Sequence, residues 1–386
     1  MMRRVRSSLG FLSAERFVMN TAYRFVYPFL PVIARGLGVP LEQAALLVSA
    51  RHIAGLATPA VTRAVGYRPR RLIGTGLVLF IAGSAVTAAT NAYVGALIGF
   101  ALIGIAKPVF DVSSQAYVSA RVPYSERARY LSVFEFTWAG ALLIGAPATG
   151  WLIARTSWST PFLVFAAVTV LAMVLLSRFV DGDSPLDIAP AAHRPITTSG
   201  RAFLLVAGFF ALASEMIIVV FGAWMENSFG LSLVALGGVA VFIGASELAG
   251  EGATFAFTDR LGKRRAVLLG LAFSIVGFGL LVPAHNTMSL GLVFLGFALF
   301  GFEFTIVSSI PLASELMPMS RARYLGWMVV SMSLARGIGA AVGPILFDSY
   351  GLAGPAIAAM AADILAAIVL ITRVREHSSP EPKKVP

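Results

Sequence analysis

No cysteine occurs among the 386 residues, which excludes disulfides, thiolate metal sites and cysteine nucleophiles. Charge is scarce too: 13% of the residues are charged and 58% are hydrophobic, whereas a soluble domain is about a quarter charged and about half apolar. With a mean hydropathy of +0.82, the chain has more apolar surface than one core can bury, so lipid must act as part of its solvent. Several signatures are missing as well. There is no Gly-rich loop ending in Lys-Ser or Lys-Thr, no paired His–Glu metal motif and no Gly-x-Ser-x-Gly elbow, which argues against ATP hydrolysis, metal catalysis and acyl transfer. No loop is long enough for a separate catalytic domain. An enzyme, a metal site and a bound cofactor are therefore not expected.

What the chain does have is long apolar runs. About twenty apolar residues cross the roughly 30 Å hydrocarbon layer, and such runs lie near 11–34, 42–62, 72–90, 92–118, 128–153, 158–179, 202–226, 232–257, 265–283, 287–313, 323–347 and 352–372. The spacing predicts an all-α membrane protein of about twelve transmembrane helices. Arg3, Arg4 and Arg6 resemble the start of a signal peptide. The stretch behind them contains Arg16, Asn20 and Arg24 and lacks a small-residue cleavage site, so it is read as a retained first helix.

A net charge of +11 and a pI near 10.4 would suggest nucleic acid in a soluble chain. Here the basic residues sit in short clusters between apolar runs, and no nucleic acid partner is expected. With the N-terminus cytoplasmic, 23 Lys and Arg fall on the cytoplasmic side, and only Arg35 and Arg155 on the other. That bias predicts both termini in the cytoplasm.

The chain also repeats itself. Arg127-Ala-Arg-Tyr-Leu131 recurs as Arg321-Ala-Arg-Tyr-Leu325, Gly99-Phe-Ala-Leu-Ile-Gly104 as Gly296-Phe-Ala-Leu-Phe-Gly301, and Val61-Thr-Arg-Ala-Val-Gly66 as Phe257-Thr-Asp-Arg-Leu-Gly262. Three matches in order at nearly one offset indicate a duplicated six-helix unit, as in transporters with a site between the repeats. The polar stretch from Asp181 to Arg201, with three prolines, separates them. The expected organisation is 1–180 as an N-terminal six-helix bundle, 181–200 as a cytoplasmic linker, and 201–386 as a C-terminal bundle with a short tail.

Ionisable groups at bilayer depth cost several kcal/mol unless paired or hydrated, which makes them functional candidates. The first half carries Arg16, Arg24, Arg51, His52, Lys107, Asp111 and Glu135; the second carries Glu215, Glu247, Glu251, Glu303, Arg336 and Asp363. The first set is mostly basic and the second mostly acidic. Arg16, Asn20 and Arg24 share a helix face, and Arg16 is close enough to the surface to snorkel. Lys107 and Asp111 are four apart and can pair. Glu247 and Glu251 form a like-charged pair at the same spacing, a device for binding and releasing protons. Arg336 could staple to Glu303, while Glu215 has the fewest evident local partners.

The segment Asp259-Arg260-Leu261-Gly262-Lys263-Arg264-Arg265 resembles the cytoplasmic loop motif of the major facilitator superfamily, with Phe255 in place of its opening glycine. The first-half copy has Arg63 at the aspartate position, followed by Gly66, Arg68, Arg70 and Arg71. Gly140, Gly145, Pro147 and Gly150 approximate the fifth-helix motif of the family's drug–proton antiporters, although Ala146 stands where a glycine precedes the proline and Phe100 where the fourth helix carries arginine. The resemblance covers essentially the whole chain. It implies two pseudo-symmetric six-helix bundles and a conformational role for Asp259, Arg260, Gly262 and Arg264.

It also implies that the first, fourth, seventh and tenth helices line a central pathway. Tyr23, Arg24, Lys107, Asp111, Glu303 and Arg336 are then the expected substrate contacts, and Glu215, Glu247 and Glu135 the expected proton-coupling groups. The implied activity is secondary transport by alternating access of a small amphipathic or charged organic compound. Proton-coupled export by a monomer in a bacterial inner membrane, with the proton gradient as energy source, is the expectation. Import or facilitated passage of a metabolite, and translocation of a lipid, are the alternatives the residues leave open.

Overall fold

The computed structural model describes residues 2–123, 126–182 and 195–375, and within these the side chains of 2–4, Ala128 and Asp259 are not described. Most of the expected linker, the end of the tail and the side chain of Asp259 therefore lie outside the described residues. Eleven described helices are long and apolar enough to cross a membrane. In chain order, with the first span counted as α1, they are α2 (Leu41–Val65), α3 (Pro69–Thr90), α4 (Tyr93–Ser119), α5 (Arg129–Arg155), α6 (Thr160–Phe179), α7 (Thr198–Phe229), α8 (Leu233–Thr258), α9 (Lys263–Ala284), α10 (Met288–Leu316), α11 (Pro318–Tyr350) and α12 (Ala353–Arg373).

The first span, α1, differs from its sequence reading. It begins near the start of the chain and runs as Met2–Arg24 and then Val26–Leu37, interrupted at Phe25. Arg16, Asn20 and Arg24 dilute its hydropathy, so an apolar-run criterion locates it poorly. Pro28 and Pro31 supply no backbone N–H, which leaves the carbonyls of Arg24 and Tyr27 without their helical donors and accounts for the interruption. α7 breaks at the corresponding place, between Ile218 and Phe221. A π-turn at Ala141–Gly145 precedes Pro147 in α5, another site where proline removes a helical donor.

The pairing of helices repeats. α3 packs on α4 and α6, α2 on α4, and α1 on α5 and α6; six helices later α9 packs on α10 and α12, α8 on α10, and α7 on α11 and α12. Across the repeats, α2 meets α11, α5 meets α8, and the ends of α1 and α7 meet each other. The start of α1 lies against the end of α6 through Ser8 Oγ and the Phe179 carbonyl, 2.6 Å apart. The start of α7 lies against the end of α12 through Ser199 Oγ and the Arg373 carbonyl. This side is termed the terminal face, and the other the far face.

The close approaches between repeats fall in the far-face halves of the helices. Ser49 Oγ of α2 donates to the Gly337 carbonyl of α11 at 2.8 Å. Arg35 pairs with Glu226 at 2.8 Å near the ends of α1 and α7. Gly222 of α7 lies so close to the Tyr27 and Pro28 carbonyls of α1 that any side chain there would strike backbone. Toward the terminal face, Thr58–Val65 of α2 contains no buried residue, and Phe136, Phe255 and Phe257 on α5 and α8 are exposed. The molecule is sealed at the far face.

Candidate functional site

The charged residues of the spans converge where the repeats meet. Glu215 of α7 is fully buried and is the centre of one cluster. Tyr27 Oη of α1 donates to Glu215 Oε1 at 2.9 Å, His52 Nε2 of α2 lies 3.4 Å from the same oxygen, and Arg336 Nη1 of α11 donates to Oε2 at 3.4 Å. Arg51 of α2 extends the chain. Its Nη2 donates to Tyr27 Oη at 3.0 Å and its Nη1 to the Tyr23 carbonyl at 2.6 Å, while its guanidinium lies 3.5 Å from the centre of the Tyr23 ring. Tyr27 thus accepts from a cation of one repeat and donates to a carboxylate of the other, and each bond polarises the next. Glu215 stood out in the sequence for its lack of local partners. Its partners come instead from three other helices, which spacing along α7 cannot reveal.

A second link crosses the repeats at Arg24 and Glu247, which form a direct ion pair between α1 and α8. Both side chains are at least 95% buried. Arg24 also donates to the Trp138 carbonyl at 3.2 Å and lies 4.4 Å from the centre of that ring, a cation–π arrangement that adds to the ion pair when desolvated. The pair satisfies both ions, and removing either partner would strand a charge in a low-dielectric interior.

A third cluster lies within the first repeat. Lys107 Nζ is 2.5 Å from Asp111 Oδ2, and Arg16 Nε donates to Asp111 Oδ1 at 3.1 Å. Arg16 also reaches Glu135 at 3.4 Å and bonds the Phe134 carbonyl. Arg16 is therefore buried between helices rather than extended toward the surface, because Asp111 and the α5 carbonyl provide partners at depth. Side-chain exposure rises from 11% at Lys107 and 16% at Asp111 to 51% at Glu135, so this cluster grades into solvent.

The remaining carboxyls are differently placed. Arg336 pairs with Glu215 and not with Glu303, while its guanidinium lies 5.5 Å from the Phe302 ring centre. Glu303 is half-buried where Gly250 of α8 packs on the Phe300–Glu303 turn of α10. Among the described residues, neither Glu303 nor Glu251 forms an ion pair, whereas Glu247 is taken by Arg24. Two residues that the sequence reading underweighted belong to the network or beside it. Arg51 is structurally central to the Glu215 cluster. Glu15, absent from the candidate set, is buried and accepts from Thr169 Oγ1 of α6 at 2.7 Å.

In the loop motif, Arg264 Nη2 donates to the Ile371 carbonyl at 2.9 Å and to that of Leu370 at 3.3 Å, so it caps α12. Gly262 adopts φ +83°, matched by φ +82° at Gly66 of the first-half copy. A left-handed turn at both loops explains glycine at these two positions.

Comparisons with known proteins agree with this architecture. Among solved structures, a peptide transporter superposes with a TM-score of 0.77 at 14% identity, covering 94% of this chain and 93% of that one. A D-xylose–proton symporter gives 0.76 at 16%, covering 96% and 98%. A bacterial homologue of the human lysosomal transporter Spinster, inward-facing and unoccupied, gives 0.72 at 13% with 95% of each chain covered. Among sequences, the uncharacterized MFS-type transporter YwfA of Bacillus subtilis (strain 168) is 22% identical across 95% of this chain and 92% of its own. The inner membrane transport protein YdhP of Escherichia coli (strain K12) is 28% identical across 38% of each chain. The family model for the Major Facilitator Superfamily matches residues 16–312 and 203–386. Duplicated helix pairing, a charged meeting place between the repeats and a family match over nearly the full length lead to one assignment: this multi-pass membrane protein belongs to the Major Facilitator Superfamily, whose members are transporters and not enzymes.

Proposed function

We propose that this transporter exports a small amphipathic or charged organic compound in exchange for protons, by alternating access, with residues 1–180 and 201–386 rocking as two bundles. The observation that carries the proposal is the pair of links between repeats. Both use a carboxylate of the second repeat, Glu215 or Glu247, gripped by groups of the first. A proton delivered to either carboxylate removes the charge that engages Arg24, or Tyr27 and His52, across the repeats and so loosens the far face. That geometry supports coupling of proton entry to opening. Proton symport is named for one fold neighbour, the D-xylose–proton symporter, which supports protons as the driving ion.

The carboxyls without a cation, Glu303 and Glu251, suit a positively charged group, and Trp138 and Phe302 suit an apolar body beside it. Lys107, with Arg24 when it parts from Glu247, would receive an anionic group if the compound has one; Tyr23, Asp111 and Arg336 complete the lining. The excess of Lys and Arg on the terminal face supports a cytoplasmic location for both termini, and the inner-membrane name of the relative YdhP supports that membrane. Export is then movement from the terminal face to the far face.

The test starts from a ligand. A panel of organic cations, anions and zwitterions is screened for stabilisation of the purified chain against heat, since a binder raises stability by mass action. The strongest binder is then followed in proteoliposomes with an imposed pH gradient. Gradient-driven flux that is lost in Glu215→Gln and in Glu247→Gln is expected. Flux indifferent to the gradient and to both substitutions would remove the coupling.

A further inference from the structure

The two copies of the loop motif share a left-handed glycine, Gly66 and Gly262, yet the residues beyond it differ. In the second repeat, Arg264 folds onto the end of α12, and the residues four and five beyond the glycine, Ala266 and Val267, are fully buried. The start of α9 is thereby packed against the end of α12. The equivalent positions in the first repeat are Arg70 and Arg71, and between α3 and α6 a groove of 710 Å³ remains. Its rim at the terminal face is formed by these two arginines. Its wall, running toward the bilayer centre, is formed by Val78, Leu79, Met173 and Leu176. Val78 and Met173 are exposed, although they lie in the middle or terminal half of spans that lipid surrounds.

We infer that this groove binds one anionic phospholipid of the terminal-face leaflet, with its phosphate at Arg70 and Arg71 and an acyl chain along the apolar wall. Basic pockets between transmembrane helices at the cytoplasmic boundary recognise acidic headgroups. A guanidinium offers five N–H donors, so each arginine can receive phosphate oxygens in addition to contacts it already makes within the chain. A free phosphate would use the rim alone and leave the wall uncovered. A phospholipid covers both, and the charge at the rim selects an anionic one. The inference is independent of the transported compound and of proton coupling.

The test is native mass spectrometry of the full chain, titrated in detergent with phosphatidylglycerol, with phosphatidylcholine and, separately, with glycerol 3-phosphate. The expected result is one tightly retained phosphatidylglycerol that phosphatidylcholine does not replace. The Arg70→Ala/Arg71→Ala variant should weaken that retention by roughly fivefold per arginine, the worth of one basic residue at an anionic surface. Val78→Trp fills the groove while keeping both charges and should also release the lipid. If the alanine variant fails to fold, Arg70→Lys/Arg71→Lys and Val78→Trp decide: retention in the first and loss in the second are expected. Equal retention of the two lipids, or retention unchanged by Val78→Trp, would overturn the inference. Displacement by glycerol 3-phosphate at concentrations matching the lipid would assign the rim to a soluble phosphate instead.

Discussion

Arg24 and Glu247 illustrate how a charge survives at bilayer depth. An unpaired charge near the centre of a helix costs about 3 kcal/mol on insertion scales, and here each ion supplies the other's counter-charge while Trp138 covers the guanidinium. Truncating one partner strands the other. Arg24→Ala and Glu247→Ala should each destabilise the purified protein by about 3–5 kcal/mol. The double variant should be less damaging than the sum of the two, with a coupling of about 0.5–3 kcal/mol. Thermal unfolding of the four proteins in one detergent checks this, and additive losses would show that the pair is not the unit.

At this scale the sequence revealed residue types and hid partners. The basic bias of the first half and the acidic bias of the second were visible, and they correspond to ion pairs that cross between the repeats. Lys107 and Asp111 were readable because both partners sit on one helix at a fixed spacing. Glu215 with Arg336, and Arg24 with Glu247, were not, since the rotation of one helix against another is set by packing that no local spacing records. Glu15 is hidden for a related reason. It adjoins Arg16 in sequence but faces α6, whereas Arg16 faces α4 and α5.

Among the elements, α1 departs furthest from a plain apolar rod. Its interruption at Phe25 follows from Pro28 and Pro31, and the carbonyls exposed there receive the close approach of Gly222. The helix that reads worst as a membrane span is thus the one that carries Tyr23, Arg24 and Tyr27 into the network. Eleven spans were legible from hydropathy alone, because each holds an 18-residue apolar stretch with no more than two charged residues in it. The contact at Gly222 is backbone on backbone, so even a methyl group must push α7 away from α1. Gly222→Ala should therefore open the far face. In a chain without native cysteine, a single Ser49→Cys on α2 reports this cleanly. Its labelling by a membrane-impermeant maleimide added from the far face should be faster with Gly222→Ala than without. Equal rates would mean that α1 and α7 do not seal that side.

For the whole molecule, the repeated pairing of helices and the links across the repeats define one body sealed at the far face and loosely packed at the terminal face. The duplication was legible in three short matches, while the direction of closure was not. It depends on which halves of α2, α5, α8 and α11 touch, and the small residues that permit close packing are spread along all four. On the proposed mechanism, Glu215 and Glu247 keep the far face shut. Spin labels on exposed positions of α2 and α11 measure that directly: Gln43→Cys with Ser349→Cys near the far face, and Ala64→Cys with Ala322→Cys near the terminal face. Pulsed electron resonance distances are compared with and without Glu215→Gln/Glu247→Gln. The far-face pair should move apart and the terminal-face pair should approach when both carboxylates are neutralised; unchanged distances at both faces, or movement in the same sense, would contradict the proposed mechanism.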